Sequence, residues 1–202
     1  MIDSEQIVFI LDKIGIVSFA IAGVSVGIKK KLDIFGILLL GVINATGGGI
    51  LRDLILGKVP FAISHFDYLE FATGASLLAI ISFYFKINYP EKLIIIADTL
   101  GLGAFAAAGA AVSINADLSI LHTIFFSIVT AIGGGIIKDM LINEVPFILK
   151  REIYATAAAI GGVFAQFSVS LGISNAILIG AIATIIIRSF AIKNKLHLPI
   201  LR

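Results

Sequence analysis

Two short motifs place a basic and an acidic residue next to three consecutive glycines in otherwise apolar surroundings. They occupy residues 45–53 and 131–139, and each is followed at the same distance by a proline, Pro60 or Pro146. Charges inside hydrophobic sequence are costly to bury, so the motifs are candidates for a functional site. The candidate residues are Gly47, Gly48, Gly49, Arg52 and Asp53 in the first motif, and Gly133, Gly134, Gly135, Lys138 and Asp139 in the second.

The triple glycines predict a helix that is weakened, locally unwound or closely approached at each motif. Each glycine costs on the order of 1 kcal/mol relative to alanine in a helix interior. Unwinding would free backbone carbonyls, which inside a membrane need a neighbouring helix or a hydrated cavity as partner. Carbonyl oxygens along a hydrated path bind a cation weakly. Four polar side chains before the glycines could add oxygens to such a path: Asn44, Thr46, Ser127 and Thr130.

The composition is that of a protein that crosses the membrane several times. Of the 202 residues, 59% are hydrophobic and 14% are charged, with a mean hydropathy of +1.09. A soluble domain averages about 25% charged residues. Long apolar runs predict an all-α polytopic membrane protein with seven transmembrane helices. The predicted helices are 6–28, 33–57, 65–86, 92–114, 118–143, 151–171 and 174–192.

The lysines and arginines between the helices predict the orientation. With the N-terminus outside, the outer loops hold only Lys58, and the positive-inside rule then places the C-terminus in the cytoplasm. Short loops fit the plasma membrane of a prokaryote. The basic residues on the cytoplasmic side are Lys29, Lys30, Lys31, Lys86, Lys92, Lys150, Arg151, Lys193, Lys195 and Arg202.

The first three helices recur as the next three, shifted by 86 positions, so that Asp12 aligns with Asp98 and Tyr68 with Tyr154. Because three is odd, the second copy enters the membrane from the opposite side. This is an inverted-topology repeat, an architecture that many transporters use. The predicted organisation is a single transmembrane domain, 1–202, with repeat one at 6–86, repeat two at 92–171 and a seventh helix at 174–192.

Two further carboxylates fall inside the predicted helices. Asp12 lies about 9 Å from the outer end of the first helix at 1.5 Å per residue, and Arg52 lies at a similar depth. An unpaired charge there is costly, so we expect the cross-helix pairs Asp12–Arg52 and Asp98–Lys138. The alternative partners are Asp53 and Asp139. These pairs could also serve only to lock the bundle, because buried ion pairs are not always functional.

The sequence contains no recognisable catalytic machinery. It has no cysteine, which excludes disulfides and thiolate-held metals. It has no nucleotide motif and no serine–histidine–acid set, and its histidines show no ligand spacing: His65, His122 and His197. We therefore expect a protein that is not an enzyme, with no cofactor, metal site or nucleic-acid partner. Arg188, late in the seventh helix, is expected to extend to the lipid headgroups.

At its paired Gly-Gly-Gly-x-x-(Arg/Lys)-Asp motifs the chain resembles the trimeric intracellular cation channel (TRIC) family, in its prokaryotic branch. The resemblance covers nearly the whole chain. It implies a homotrimer in membrane lipid, with a pore in each protomer between the second and fifth helices, which are kinked at the glycines. It also implies monovalent cations as permeant species, chiefly potassium with some sodium. Sequences of this type have also been classed as glycine transporters.

Two functions follow as hypotheses. The first is a potassium-permeable channel in which Arg52 and Lys138, held by Asp12 and Asp98, move with voltage and gate the path. Moving one charge across the full membrane is worth about 2.3 kcal/mol per 100 mV. The second is a secondary transporter for a small solute such as glycine, because inverted repeats with broken helices also serve that function. The doubled motif disfavours a purely structural scaffold.

Overall fold

Helices make up all the regular secondary structure in residues 4–85, 90–149 and 153–196, the part of the chain that this computed structural model describes. Seven helices are long, and a short helix and one 3-10 turn lie in connections. The helices are α1 (Ser4–Lys29), α2 (Ile34–Ile55), α3 (Phe61–Ser64), α4 (Phe66–Tyr84), α5 (Glu91–Asn115), α6 (Ile120–Leu141), α7 (Ala155–Ser170) and α8 (Ala176–Lys193), and the 3-10 turn is Phe147–Leu149.

The seven predicted helices correspond to the seven long helices of the structure, and the all-α membrane fold is confirmed. Six of them are long and apolar enough to cross a membrane, while α7 is a shorter apolar helix of 16 residues. The sequence did not predict α3 or the 3-10 turn, which begin directly after Pro60 and Pro146. The predicted helix boundaries at Lys86 and Arg151 lie outside the described residues.

The helices α2 and α6 end with the same backbone arrangement. Gly57 and Asn143 adopt left-handed backbone conformations, with φ of 66° and 54°. The next amide in each case donates to a carbonyl five residues earlier, Lys58 to Asp53 and Glu144 to Asp139, both at 2.9 Å. This pattern is that of the Schellman motif, which satisfies carbonyls at a helix end. It also fixes the last helical turn, which carries the charged residues of each motif.

Equivalent contacts join the two halves of the molecule. The Phe105 ring lies against Gly15 of α1, and the Phe19 ring lies against Gly101 of α5. The two rings meet edge to face with centroids 5.2 Å apart. Glycine allows this approach because a Cβ at either position would meet the opposite ring. The central core thus forms around a contact whose two sides are related by the 86-residue shift.

The closest backbone approach is the crossing of α2 and α6. Gly48 lies against the carbonyl of Thr130, and Gly134 lies against the carbonyl of Asn44, so the helices run antiparallel. A Cβ on Gly47 would lie 3.0 Å from the Cα of Gly134. The predicted local unwinding is wrong, because both helices are α-helical throughout the glycines. The two helices instead approach each other closely at the glycines, which is the other expectation from the sequence.

The last helix, α8, has no counterpart in the first half. It packs across α5 and α7, where a Cβ on Gly103 would lie 2.9 Å from the carbonyl oxygen of Ala181. A Cβ on Gly161 would lie 2.8 Å from the carbonyl oxygen of Gly180. Small residues on both sides let the backbones approach, as in other membrane helix pairs. These glycines therefore determine where α8 can pack.

Substitution of Gly48 by alanine tests the crossing. The added methyl would meet the Thr130 carbonyl, so we expect Gly48→Ala to lower the free energy of unfolding by about 1–3 kcal/mol. The matched control is Gly49→Ala, whose Cβ would have its nearest neighbour, Arg52 Nη2, at 3.8 Å. Helix propensity should leave that variant unchanged or stabilised by up to about 1 kcal/mol. Thermal unfolding in detergent measures both, and equal midpoints for the two variants would contradict the packing role.

Candidate functional site

A first cluster of charged and polar residues lies where α2 ends against α1 and α4; it consists of Asp12, Arg52, Asp53 and Tyr68. Arg52 Nε donates to Asp53 Oδ1 at 2.7 Å, and both residues are buried. The other Asp53 oxygen accepts the backbone N–H of Phe61 at 2.8 Å. Tyr68 donates its hydroxyl to Asp12 at 3.2 Å. The cluster therefore ties the end of α2 to α3, and α1 to α4.

A second cluster repeats this arrangement at the end of α6; it consists of Asp98, Lys138, Asp139 and Tyr154. Lys138 donates to Asp139, and Tyr154 donates its hydroxyl to Asp98 at 2.9 Å. Because α2 and α6 run antiparallel, the two clusters lie at opposite ends of the bundle. The structure therefore brings together all six charged residues that the sequence singled out, in two equivalent groups.

The expected partners of the basic residues need correction. Arg52 pairs with Asp53 rather than with Asp12, and Lys138 pairs with Asp139. These aspartates were the alternative partners in the sequence analysis. They are adjacent in the chain on the last helical turn, so little conformational freedom is lost in forming the pair. Asp12 and Asp98 instead accept the tyrosine hydroxyls, a role that the sequence analysis did not assign.

Each cluster lines a cavity. The first cavity has a volume of about 30 Å³, and Thr46, Gly49 and Thr130 line it together with the first cluster. The second cavity has a volume of about 290 Å³, and Asn44 and Gly135 line it together with the second cluster. A wider recess of about 830 Å³ also reaches Asp12, Arg52 and Tyr68. The two cavities lie on either side of the glycine crossing.

The glycines of each motif divide into two roles. The first two, at 47–48 and 133–134, contact the opposite helix. The third glycine is not packed against the opposite backbone: Gly49 lines the first cavity and Gly135 lines the second. A Cβ on Gly135 would lie 3.8 Å from the Asn44 side-chain oxygen, within the second cavity. The motif thus combines a packing surface with an opening one residue later.

The four predicted oxygen-bearing side chains have different surroundings. Asn44 donates to the Phe19 carbonyl at 2.7 Å, and Thr46 donates to the Val42 carbonyl of its own helix at 2.8 Å. Thr130 is buried, and its hydroxyl has no hydrogen-bond partner among the described residues. Ser127 lies against Gly162 of α7. Asn44, Thr46 and Thr130 therefore line the cavities, whereas Ser127 faces a helix contact.

Arg188 of α8 is a cavity residue that the sequence analysis missed. It is buried, lines the second cavity and donates to the Ile153 carbonyl at 3.1 Å. Its guanidinium carbon lies 4.8 Å from the centre of the Tyr154 ring, a cation–π distance. The expectation that it extends to the headgroups is wrong, because α8 packs this face of the helix inward. The position of a charged residue within an apolar helix is the sequence signal that could have indicated this role.

The comparisons with known proteins agree on one family. A family model described as glycine transporter matches the chain twice, at residues 9–86 and 95–170. The UPF0126 inner membrane protein YadS of Escherichia coli (strain K12) is 37% identical over 198 residues, 96% of each chain. A UPF0126 membrane protein of Vibrio cholerae is 34% identical over 210 residues, covering 98% of this chain and 86% of the relative.

Solved structures also match over nearly the whole chain. One, described as "Structural basis for conductance through TRIC cation channels", has a TM-score of 0.88 with 38% identity and 96% coverage of both chains. A prokaryotic TRIC channel crystallised in 0.5 M KCl has a TM-score of 0.86 with 33% identity, covering 96% of this chain and 100% of the other. A TRIC orthologue from Rhodobacter sphaeroides has a TM-score of 0.85 with 31% identity, covering 95% and 100%.

The fold and its apolar helices define a multi-pass membrane protein. Within that class, the chain belongs to the TRIC family, which includes these UPF0126 proteins and which the family model describes as glycine transporters. The sequence resemblance to the prokaryotic TRIC branch is confirmed.

Neutralising one member of the first ion pair tests its contribution to stability. Asp53→Asn leaves Arg52 buried without its carboxylate, and we expect a loss of about 3–5 kcal/mol in the free energy of unfolding. The double variant Arg52→Gln, Asp53→Asn removes both charges and should recover part of that loss. Thermal unfolding in detergent measures the set. Lys30→Gln, which removes the exposed pair of Lys30 with Glu144, is the control and should cost less than about 1 kcal/mol.

If Asp53→Asn behaved like Lys30→Gln, the Arg52–Asp53 pair would not be a buried, coupled interaction. If the double variant recovered none of the stability lost in Asp53→Asn, an unpaired Arg52 charge would not be the cause of that loss. Either result would contradict the geometry described above.

Proposed function

We propose that this protein is a potassium-permeable cation channel with a path through each protomer between α2 and α6. The observation that carries the proposal is the pair of cavities with equivalent linings on either side of the glycine crossing. Such a path becomes continuous when the two helices shift relative to each other at the crossing. Solved structures at 31–38% identity that are named as TRIC cation channels support the same function.

The charges of the second cavity favour a cation over an anion. Its lining contains four acidic and three basic side chains, a formal charge of −1. The acidic residues are Glu91, Asp98, Asp139 and Glu144, and the basic residues are Lys29, Lys138 and Arg188. In a cavity with low-dielectric walls, an excess of one sign raises the local concentration of the opposite ion.

Side-chain oxygens replace the freed carbonyls of the sequence-based hypothesis as ligands for the permeant ion. The helices are continuous at the glycines, so their carbonyls remain in helical hydrogen bonds. Thr130 offers a buried hydroxyl without a partner in the described structure, and Asn44 offers an amide oxygen. Gly49 and Gly135 keep the space beside these groups open. Weak, exchangeable ligands of this kind allow an ion to enter and to leave.

Gating is the role that we propose for Arg52 and Lys138. Each is buried at one end of the path, paired with the aspartate that follows it. A change in membrane potential acts on each charge, and movement across the full field is worth about 2.3 kcal/mol per 100 mV. Even a fractional displacement would therefore bias an equilibrium between closed and open states. Asp53 and Asp139, rather than Asp12 and Asp98, hold the basic groups in the closed state.

Assembly and orientation complete the proposal. The orthologue from Rhodobacter sphaeroides is described as trimeric, which supports a homotrimer in membrane lipid for this chain. The relative from Escherichia coli is named as an inner membrane protein, which supports the plasma membrane of a prokaryote. The distribution of lysine and arginine supports a periplasmic or external N-terminus and a cytoplasmic C-terminus. The second cavity then faces the cytoplasm.

A secondary transporter for a small solute such as glycine is the second candidate function. The description of the family model favours it, and inverted repeats of this kind also form transporters that alternate access. The second cavity also offers both carboxylates and basic groups, which could hold the ammonium and carboxylate of an amino acid.

Single-channel recording distinguishes the two functions. The purified protein in a planar bilayer with asymmetric potassium chloride should give discrete currents that reverse near the potassium equilibrium potential. Liposomes containing the same protein should then show no saturable glycine uptake. Silence over a wide voltage range, combined with saturable uptake that unlabelled glycine inhibits, would instead establish the transporter.

Neutral variants test the gating role. We expect Arg52→Gln and Lys138→Gln each to change the voltage dependence of opening, because each removes a charge on which the field acts. Lys31→Gln is the control, since Lys31 is exposed in the turn after α1 and lines neither cavity. The measurement is open probability against voltage in the planar bilayer. Unchanged curves for both buried variants would overturn the gating proposal while leaving conduction intact.

A further inference from the structure

A groove runs between α1 and α4 on the outer surface of the bundle. Its volume is about 650 Å³. Val17, Ile21, Ala75 and Ala79 form its apolar floor. On its rim are Phe9 and Leu78, which are 51% and 69% exposed. We call this the α1–α4 groove, and it is separate from the two cavities of the proposed path.

The equivalent groove in the second half of the molecule is filled. Shifting the floor positions Val17 and Ala75 by 86 gives Gly103 and Gly161, which are the residues that contact α8. In the second half, a helix therefore covers the surface between α5 and α7. In the first half the same surface carries no helix of this chain among the described residues. The two repeats therefore form equivalent grooves: α8 covers the groove of the second repeat, and the groove of the first repeat is uncovered.

A transmembrane helix fits the uncovered groove poorly. The α8 helix approaches closely because Gly103 and Gly161 have no side chain, with carbonyl oxygens 2.9 and 2.8 Å from where a Cβ would lie. Val17 and Ala75 fill this space in the α1–α4 groove. Large residues on the rim also differ from the small residues that membrane helix contacts favour. An acyl chain is thinner and more adaptable, so it suits this groove better than a helix does.

One end of the groove carries charges of both signs. Lys13 Nζ donates to Asp67 Oδ2 at 2.8 Å, and Glu70 lies one helical turn further along α4. The ammonium is also held over the Tyr68 and Phe71 rings, 4.0 and 4.8 Å from their centroids. An ammonium has three donors, so one contact with Asp67 leaves capacity for a further acceptor. The charged residues of the groove sum to −1, which opposes an anionic ligand.

We propose that the α1–α4 groove binds a zwitterionic phospholipid whose headgroup carries an amine. The phosphate would accept a hydrogen bond from Lys13, and the amine would donate to Asp67 and Glu70. One acyl chain would lie along the apolar floor. From Lys13 to Ile21 the helix rises about 12 Å at 1.5 Å per residue, which lies within the thickness of one leaflet, about 15 Å. This inference does not depend on which solute or ion the protein transports.

Native mass spectrometry of the full chain tests the proposal. The protein is reconstituted in nanodiscs with equal amounts of phosphatidylethanolamine and phosphatidylglycerol, then released with its bound lipid. We expect one phosphatidylethanolamine per protomer to be retained, in about tenfold preference over phosphatidylglycerol, the ratio expected for one charge-assisted hydrogen bond. Retention of both lipids in equal amounts would show ordinary boundary lipid and overturn the proposal.

Two variants separate the headgroup from the chain. Asp67→Asn with Glu70→Gln should abolish the headgroup preference, and the protein should remain folded because both carboxylates are exposed. Val17→Phe should reduce retention of either lipid by filling the floor. The control is Asp117→Asn, which neutralises an exposed carboxylate in the loop before α6, away from the groove, and should retain the full preference. A preference that survives in the Asp67, Glu70 variant contradicts the proposed headgroup contacts.

A second copy of the chain is the competing occupant. The sequence contains no cysteine, so Leu78→Cys places a single thiol on the rim of the groove. If a lipid occupies the groove, oxidation should give no disulfide-linked dimer in native membranes. Efficient cross-linking between copies would assign the groove to a subunit contact and overturn the lipid proposal.

Discussion

The backbone contact between α2 and α6 is the constraint on which the rest of this structure depends. The two antiparallel helices approach more closely than any residue with a side chain would allow. Gly48 lies against the Thr130 carbonyl, and Gly134 lies against the Asn44 carbonyl. This contact places the two charged clusters at opposite ends of the same pair of helices. It also separates the two cavities, so any path between them must pass the crossing. A continuous helix at the glycines means that movement there requires a shift between helices rather than local unwinding.

The charges of the two clusters are stable inside the bundle because the basic residue of each cluster has an acidic neighbour on the same helical turn. Leaving one member of a buried pair alone is far more costly than the pair itself. The tyrosine hydroxyls hold the other two carboxylates, Asp12 and Asp98, on the neighbouring helices. The result is a group of one basic and two acidic residues at each end of the bundle. A membrane potential acts on the basic residue when it moves relative to its acidic partners.

The two halves differ where function needs asymmetry. A cation stands over each cluster tyrosine, but Lys13 comes from α1 in the first half and Arg188 from α8 in the second. The second cavity is about 290 Å³, whereas the first, of about 30 Å³, shares Asp12, Arg52 and Tyr68 with a recess of about 830 Å³, so the ends of the path differ. α8 covers the groove of the second half and leaves the α1–α4 groove to the lipid. Tyr68 contacts both Lys13 and Asp12, and this joins that groove to the first cluster.

The sequence alone determined the membrane fold, the seven long helices and the pairing of the two motifs. These depend on hydropathy, on helix length and on an 86-residue repetition, all of which are properties of residues in order. Only the tertiary structure decided that Arg52 pairs with Asp53 rather than with Asp12. It also decided that Gly48 packs against the opposite helix whereas Gly49 lines a cavity. It placed Arg188 inside the bundle. Each of these depends on how closely neighbouring helices approach, which the glycine contacts determine. No periodicity along a single helix records how closely its neighbour approaches.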